Sequence, residues 1–190
     1  MSHRILLEGL IKIKKSFVAE QVMVLRSVSN ELMREASIKN DSLLAHAAII
    51  AYCLHKFLTK EHVVTSGFWL EYKMAVLSSL ENSIKLIEKN NLKDYKEELD
   101  SISAHLEKLD REIGRYVQGL YTKAKVKYAA DAYYYGLSLS KAAALTNADL
   151  SALQQYIGVT TQHDIDADKK GISVRLNEFK KAINYVSRVD

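Results

Sequence analysis

The residues best suited to chemistry lie in the last third of the chain. Lys123, Lys125 and Lys127 occupy alternate positions in a stretch, Ile113 to Ala130, with no acid between its ends, and Lys141 follows shortly after. Ammonium groups without neighbouring acids hold phosphates, and they do so whatever the base sequence. Ser151, Gln154 and Gln155 come next. A glutamine amide can both donate to and accept from one base edge, and its bidentate match is adenine. The expected division of labour is that the four lysines touch phosphates while Ser151, Gln154 and Gln155 face a groove. Ser138 or Ser140 is placed to cap a helix and donate to a further phosphate.

Charge is distributed to match. The net charge of +4 arises wholly after residue 110: residues 1–110 hold 15 basic and 15 acidic side chains, residues 111–190 hold 12 and 8.

Other groupings give weaker chemistry. Tyr116, Tyr121, Tyr128, Tyr133, Tyr134 and Tyr135 interleave with Arg115 and the lysines, a mixture that can stack bases, although on a helix such tyrosines face all round and packing accounts for them more simply. His163, Asp164, Asp166 and Asp168 have the alternation of a calcium loop. Lys169 and Arg175 stand where that loop needs glycine and glutamate, so a solvated acidic loop is expected. His3, His46, His55, His62 and His105 make no i, i+4 pair, and His46 and His55 read as core histidines with satisfied ring nitrogens. Cys53 lies in an apolar run and reads as a buried, inert thiol. No phosphate loop, Cys-x-x-Cys pair or nucleophile elbow occurs. The expectation is a protein that is not an enzyme and carries no cofactor or metal.

The elements that position these residues are helices. The chain has no proline and 7 glycines in 190 residues, so the strongest helix breakers are nearly absent. Leu6, Leu10, Ile13, Phe17, Val24, Val28 and Leu32 recur at helical spacing and predict one long amphipathic helix. Asn40, Asp41 and Ser42 then cap a helix, Leu43 to Leu58, that is apolar on nearly all sides and belongs at the centre. After a break between His62 and Gly67, a third helix runs from Phe68 to Lys89 and ends at Asn90 and Asn91. Leu92, Tyr95, Leu99, Ile102, Leu106, Leu109, Ile113, Tyr116 and Leu120 form a heptad seam whose nearest partner is the preceding helix, in a long antiparallel coiled-coil-like hairpin. A second copy of the chain is the rival partner for that seam. The helical pattern continues to Gly136. Two short helices, a polar stretch at Thr160–Lys170 and a last helix from Ile172 to Val189 complete the chain.

The segment Gly136–Gly158, GLSLSKAAALTNADLSALQQYIG, resembles the helix-turn-helix of small antitoxin-like proteins and of uncharacterised helical proteins of archaea. Ala143 takes the small position, Asn147 the turn, and Ala148, Leu153 and Tyr156 or Ile157 the anchoring positions. The resemblance implies a second helix whose exposed face enters the major groove. Three features depart from the pattern: Asn147 stands where glycine is usual, Asp149 to Ile157 contains no Arg or Lys, and Asp149 has the wrong sign for a phosphate neighbour.

These observations predict an all-α helical bundle over residues 1–130 and a small C-terminal helical unit over 131–190. The function expected is a non-enzymatic regulator that binds DNA or RNA. Its alternative is an interaction scaffold that docks a protein partner, or a second copy in a homodimer, through the helical hairpin. The longest apolar run, Leu43 to Leu54, is too short to cross a bilayer. The lysine-bearing N-terminal stretch does not read as a signal peptide, so a cytoplasmic location is expected.

Overall fold

The structure is a computed structural model; it describes residues 2–113 and 119–167, with side chains over 3–112 and 119–159. Every regular element among these residues is a helix. By its internal contacts the chain divides into a unit spanning Met1–Leu153 and another beginning at Gln154.

The expected first helix is two helices, α1 (Ser2–Val18) and α2 (Val22–Lys39), packed against each other. The chain reverses at Glu20, which adopts φ 52°. The Gln21 N–H reaches back to the Ser16 carbonyl at 2.8 Å, the closing bond of a Schellman-type terminus. Glutamate has a Cβ that disfavours this backbone by about 1–2 kcal/mol. Its carboxylate pairs with Lys73 at 2.6 Å, which fixes the turn against a later helix.

Helix α3 (Ser42–Leu58) begins where the cap was expected: the Asp41 carboxylate accepts from the N–H groups of Leu43 and Leu44 at 3.0 and 3.3 Å. Ala45, Ala47, Ala48, Ile49, Ile50, Ala51, Cys53 and Leu54 are all buried. This helix packs against α1, α2 and later helices on every side, the position that an all-round apolar pattern demands.

A single turn, α4 (Glu61–Val64), leads to α5 (Trp69–Glu88), which folds back on α6 (Leu92–Ile113). The reversal uses Asn90 at φ 57°, and the Asn91 side chain caps α6 by accepting from Asp94 N–H at 3.2 Å. The seam residues Tyr95, Leu99, Ile102, Leu106 and Leu109 are buried, whereas Leu92, its expected first member at the end of the helix, is exposed. Helix α6 contacts α3 and α7 as well as α5, so the seam serves the bundle and not the hairpin alone. Its last expected members before Leu120, Ile113 and Tyr116, lie outside the described side chains.

Helix α7 (Leu120–Tyr134) starts at Gly119, φ 79°. The buried Asp110 carboxylate accepts from the Leu120 N–H at 2.9 Å and so ties α6 to the first turn of α7. Ala124, Ala129, Ala130 and Ala132 are buried, small enough for α7 to lie closely on α3. Gly136, φ 100°, ends the approach to α8 (Leu139–Thr146), whose N-cap is Ser138. Helix α9 (Leu150–Ala167) follows. It runs through Gly158 and into the stretch expected to be a polar loop, so His163, Asp164 and Asp166 lie on helical backbone. A lone glycine weakens a helix by about 1 kcal/mol without stopping it. Asp168 and the expected helix at 172–189 lie outside the described residues. No described helix is long and apolar enough to cross a membrane.

Candidate functional site

Along α7 each residue advances the helix by about 100°, so lysines at alternate positions cannot form one row. Lys123 is exposed. Lys125 is half-buried, with Nζ 4.7 Å from the centre of the Tyr121 ring. Lys127 pairs with Asp131, one turn on, at 2.6 Å, and its Nζ stands 4.5 Å from the Tyr128 ring centre and 5.5 Å from that of Tyr52. Lys127 is thus engaged within the bundle, and the acid that engages it lies one residue beyond the acid-free stretch. Lys141, on α8, is exposed and makes no ion pair among the described residues.

Between α8 and α9 the chain turns at Asn147, φ 52° and ψ 43°, and the Ala148 N–H bonds to the Ala143 carbonyl at 2.9 Å. Asparagine tolerates this left-handed backbone better than most residues because its short amide bonds locally. Ala143 and Leu153 are buried. Tyr156, an expected anchor, is 40% exposed, whereas Ile157 is half-buried. Asp149, the acid of the wrong sign, caps α9 through its carboxylate, which accepts from the Ala152 N–H at 2.7 Å. Ser151, Gln154 and Gln155 are exposed, and their spacing of i, i+3 and i+4 puts them on one face of α9.

The tyrosines separate into two groups. Tyr121 and Tyr128 are buried, and Tyr128 bonds to Ser29 through its hydroxyl. Tyr133, Tyr134 and Tyr135 are exposed at the end of α7; Tyr116 lies outside the described residues. His55 is a satisfied core histidine whose Nδ1–H donates to the Val22 carbonyl at 2.9 Å, and burial lowers its pKa. Cys53 is buried, which raises the pKa of its thiol. Among the described residues no three or more His, Cys, Asp or Glu side chains gather as a metal ion requires.

His46 behaves differently from His55. It stands at a cleft of about 440 Å³ walled by α3, α6, α7 and the end of α8 with Asn147. Its Nε2 is 2.7 Å from both the Ser103 Oγ and the Tyr121 hydroxyl, and these two oxygens are 2.8 Å apart. The Ser103 hydroxyl donates to the Leu99 carbonyl at 2.9 Å, which can only accept, and the direction of the bonds among Ser103, Tyr121 and Nε2 follows the imidazole tautomer. Burial is the largest influence on the imidazole and lowers its pKa to about 4; Asp100 acts in the opposite sense, while Lys125 and Lys96 reinforce the lowering. The ring is therefore neutral at pH 7. Ser103 and Tyr121 lie 57 and 75 residues from His46, so no local spacing could have announced the group. No family model, curated protein or solved structure matches this chain.

Proposed function

We propose that the chain is a non-enzymatic nucleic-acid-binding regulator that presents α9 to duplex DNA. What supports the reading most is the tight left-handed turn at Asn147 between two capped helices, followed by the exposed face of Ser151, Gln154 and Gln155. In this reading the phosphate contacts fall to Lys123 and Lys141. Lys125 and Lys127, held by Tyr121 and by Asp131, contribute less. Asp149 keeps its negative charge while it caps α9, and the positive end of the helix dipole offsets that charge in part.

Fluorescence-anisotropy titration with duplex DNA and with single-stranded RNA tests this. The expected result is binding to duplex that weakens about tenfold or more when Gln154 and Gln155 are both replaced by alanine on a preferred sequence, the scale of one bidentate base contact. Equal binding to both nucleic acids, unaffected by that double substitution, would move the contact away from α9.

A second reading, docking of a protein or of a second copy along a coiled coil formed with the α5/α6 hairpin, draws on exposed apolar side chains. Met23, Leu70 and Met74 are 72%, 70% and 62% exposed. The Glu20–Lys73 pair and the 6.0 Å edge contact of Phe17 with Trp69 bring the α1–α2 turn to the start of α5. Self-association that ignores salt and is lost in Leu70→Glu is the outcome that favours it.

A further inference from the structure

The His46 cleft has a second property, independent of nucleic-acid binding: it is bordered by charges of both signs that remain unpaired among the described residues. Lys96 and Asp100 lie one turn apart on α6, and Glu107 lies further along the same helix. Lys125 lines the cleft from α7, its Nζ over the face of the Tyr121 ring, which also lines it. None of the four makes an ion pair among the described residues, although Lys96, Asp100 and Lys125 are near enough to act on the His46 ring. Two cations and two anions thus border one concavity, and neutral hydrogen-bonding groups, those of His46, Tyr121 and Thr146, lie among them.

The pattern selects among ligands. An anion alone would leave Asp100 and Glu107 facing it with the wrong sign, and a cation alone would do the same with Lys96 and Lys125. Side chains one helical turn apart are neighbours, so the opposite charges of Lys96 and Asp100 suit a molecule whose own opposite charges are adjacent. The volume lies within the range of small-molecule sites. Leu43 and Ile49 of α3 and Ala104 of α6 add apolar groups to the wall. We infer that this cleft binds a free α-amino acid, its carboxylate held by Lys96 and Lys125, its ammonium by Asp100 and Glu107, and its side chain against the apolar groups of the wall.

The fixed imidazole supplies the reporter. The full chain is titrated with each common α-amino acid at millimolar concentration while the His46 ring resonances, assigned by their loss in His46→Gln, are followed by NMR. Acetate and methylammonium serve as single-charge controls. The expected result is a saturable shift with at least one amino acid and none with either control, with affinity reduced about tenfold or more in Lys96→Gln and in Asp100→Asn, the scale of one charged hydrogen bond. Both substitutions are at exposed positions, and circular dichroism verifies that each variant is folded. Absence of a saturable shift with every amino acid overturns the inference, as do equal shifts with the controls. Neither result bears on DNA binding, which is measured separately.

Discussion

His46 shows how much a residue's role depends on partners distant in sequence. With a pKa lowered from 6.5 to about 4, the folded protein binds fewer protons at this ring than the unfolded chain between those two values. Stability therefore rises with pH across that window. The contribution is complete above about pH 6.5 and is lost as pH falls towards 4, a change on the order of 3 kcal/mol at one pKa unit per 1.36 kcal/mol. Chemical denaturation of wild type and His46→Gln at pH 4, 5, 6 and 7 should give a difference curve with this slope; parallel curves would contradict it. Lys127 carries a second expectation. Lys127→Ala removes the ion pair with Asp131 and the contacts with two tyrosine rings, costing about 0.5–1 kcal/mol of stability. It should leave DNA affinity nearly unchanged by anisotropy, whereas Lys123→Glu should weaken it. The sequence revealed that these lysines lie in an acid-free stretch. The i, i+4 spacing of Lys127 and Asp131 was legible there too, but not the approach of Tyr52 from another helix.

Among the helices, most boundaries were legible because their chemistry is local. Asn40–Asp41, Asn90–Asn91, Gly136 and Asn147 each supply a residue suited to a left-handed backbone or a cap, and each ends or starts a helix. The break between α1 and α2 has no local signal, since Ala19, Glu20 and Gln21 carry none and the apolar spacing of Leu6 to Leu32 runs across it; the structure shifts the next apolar position by one, burying Leu25 and leaving the expected Val24 exposed. Tertiary packing of two antiparallel helices, with the Glu20–Lys73 pair, decides that turn. The end of α9 was misplaced for the converse reason, as Gly158 carried a stop signal that the chain does not obey. The turn at Asn147 can be tested directly. Asn147→Val should cost about 1–2 kcal/mol because a β-branched residue strains at φ 52°, while Asn147→Gly should be near neutral; denaturant unfolding of both variants measures the difference. Equal losses in the two would mean that the amide, not the backbone, matters here.

Over the whole molecule, the all-α class followed from composition and periodicity, which are properties of the chain as a sum. The grouping of α3, α6, α7 and the end of α8 with Asn147 around one cleft did not, since it depends on which helices meet. The same limit applies to the surface proposed to meet nucleic acid. Charge asymmetry showed which part of the chain is basic, but the tyrosine contact of Lys125 and the Asp131 pair of Lys127 reduce the lysines proposed for phosphate contacts from four to two, Lys123 and Lys141. That reduction makes DNA binding a quantitative proposal. The direct measurement is the salt dependence of duplex-DNA affinity between about 50 and 200 mM, for which two phosphate contacts give a log–log slope of roughly −1.8 and four give roughly −3.6. Binding through Lys123 and Lys141 gives the shallower slope, falling by about half in Lys123→Glu and unchanged in Lys127→Gln. No binding at the lower salt concentration, or a slope that neither Lys123→Glu nor Lys141→Glu alters, would contradict it.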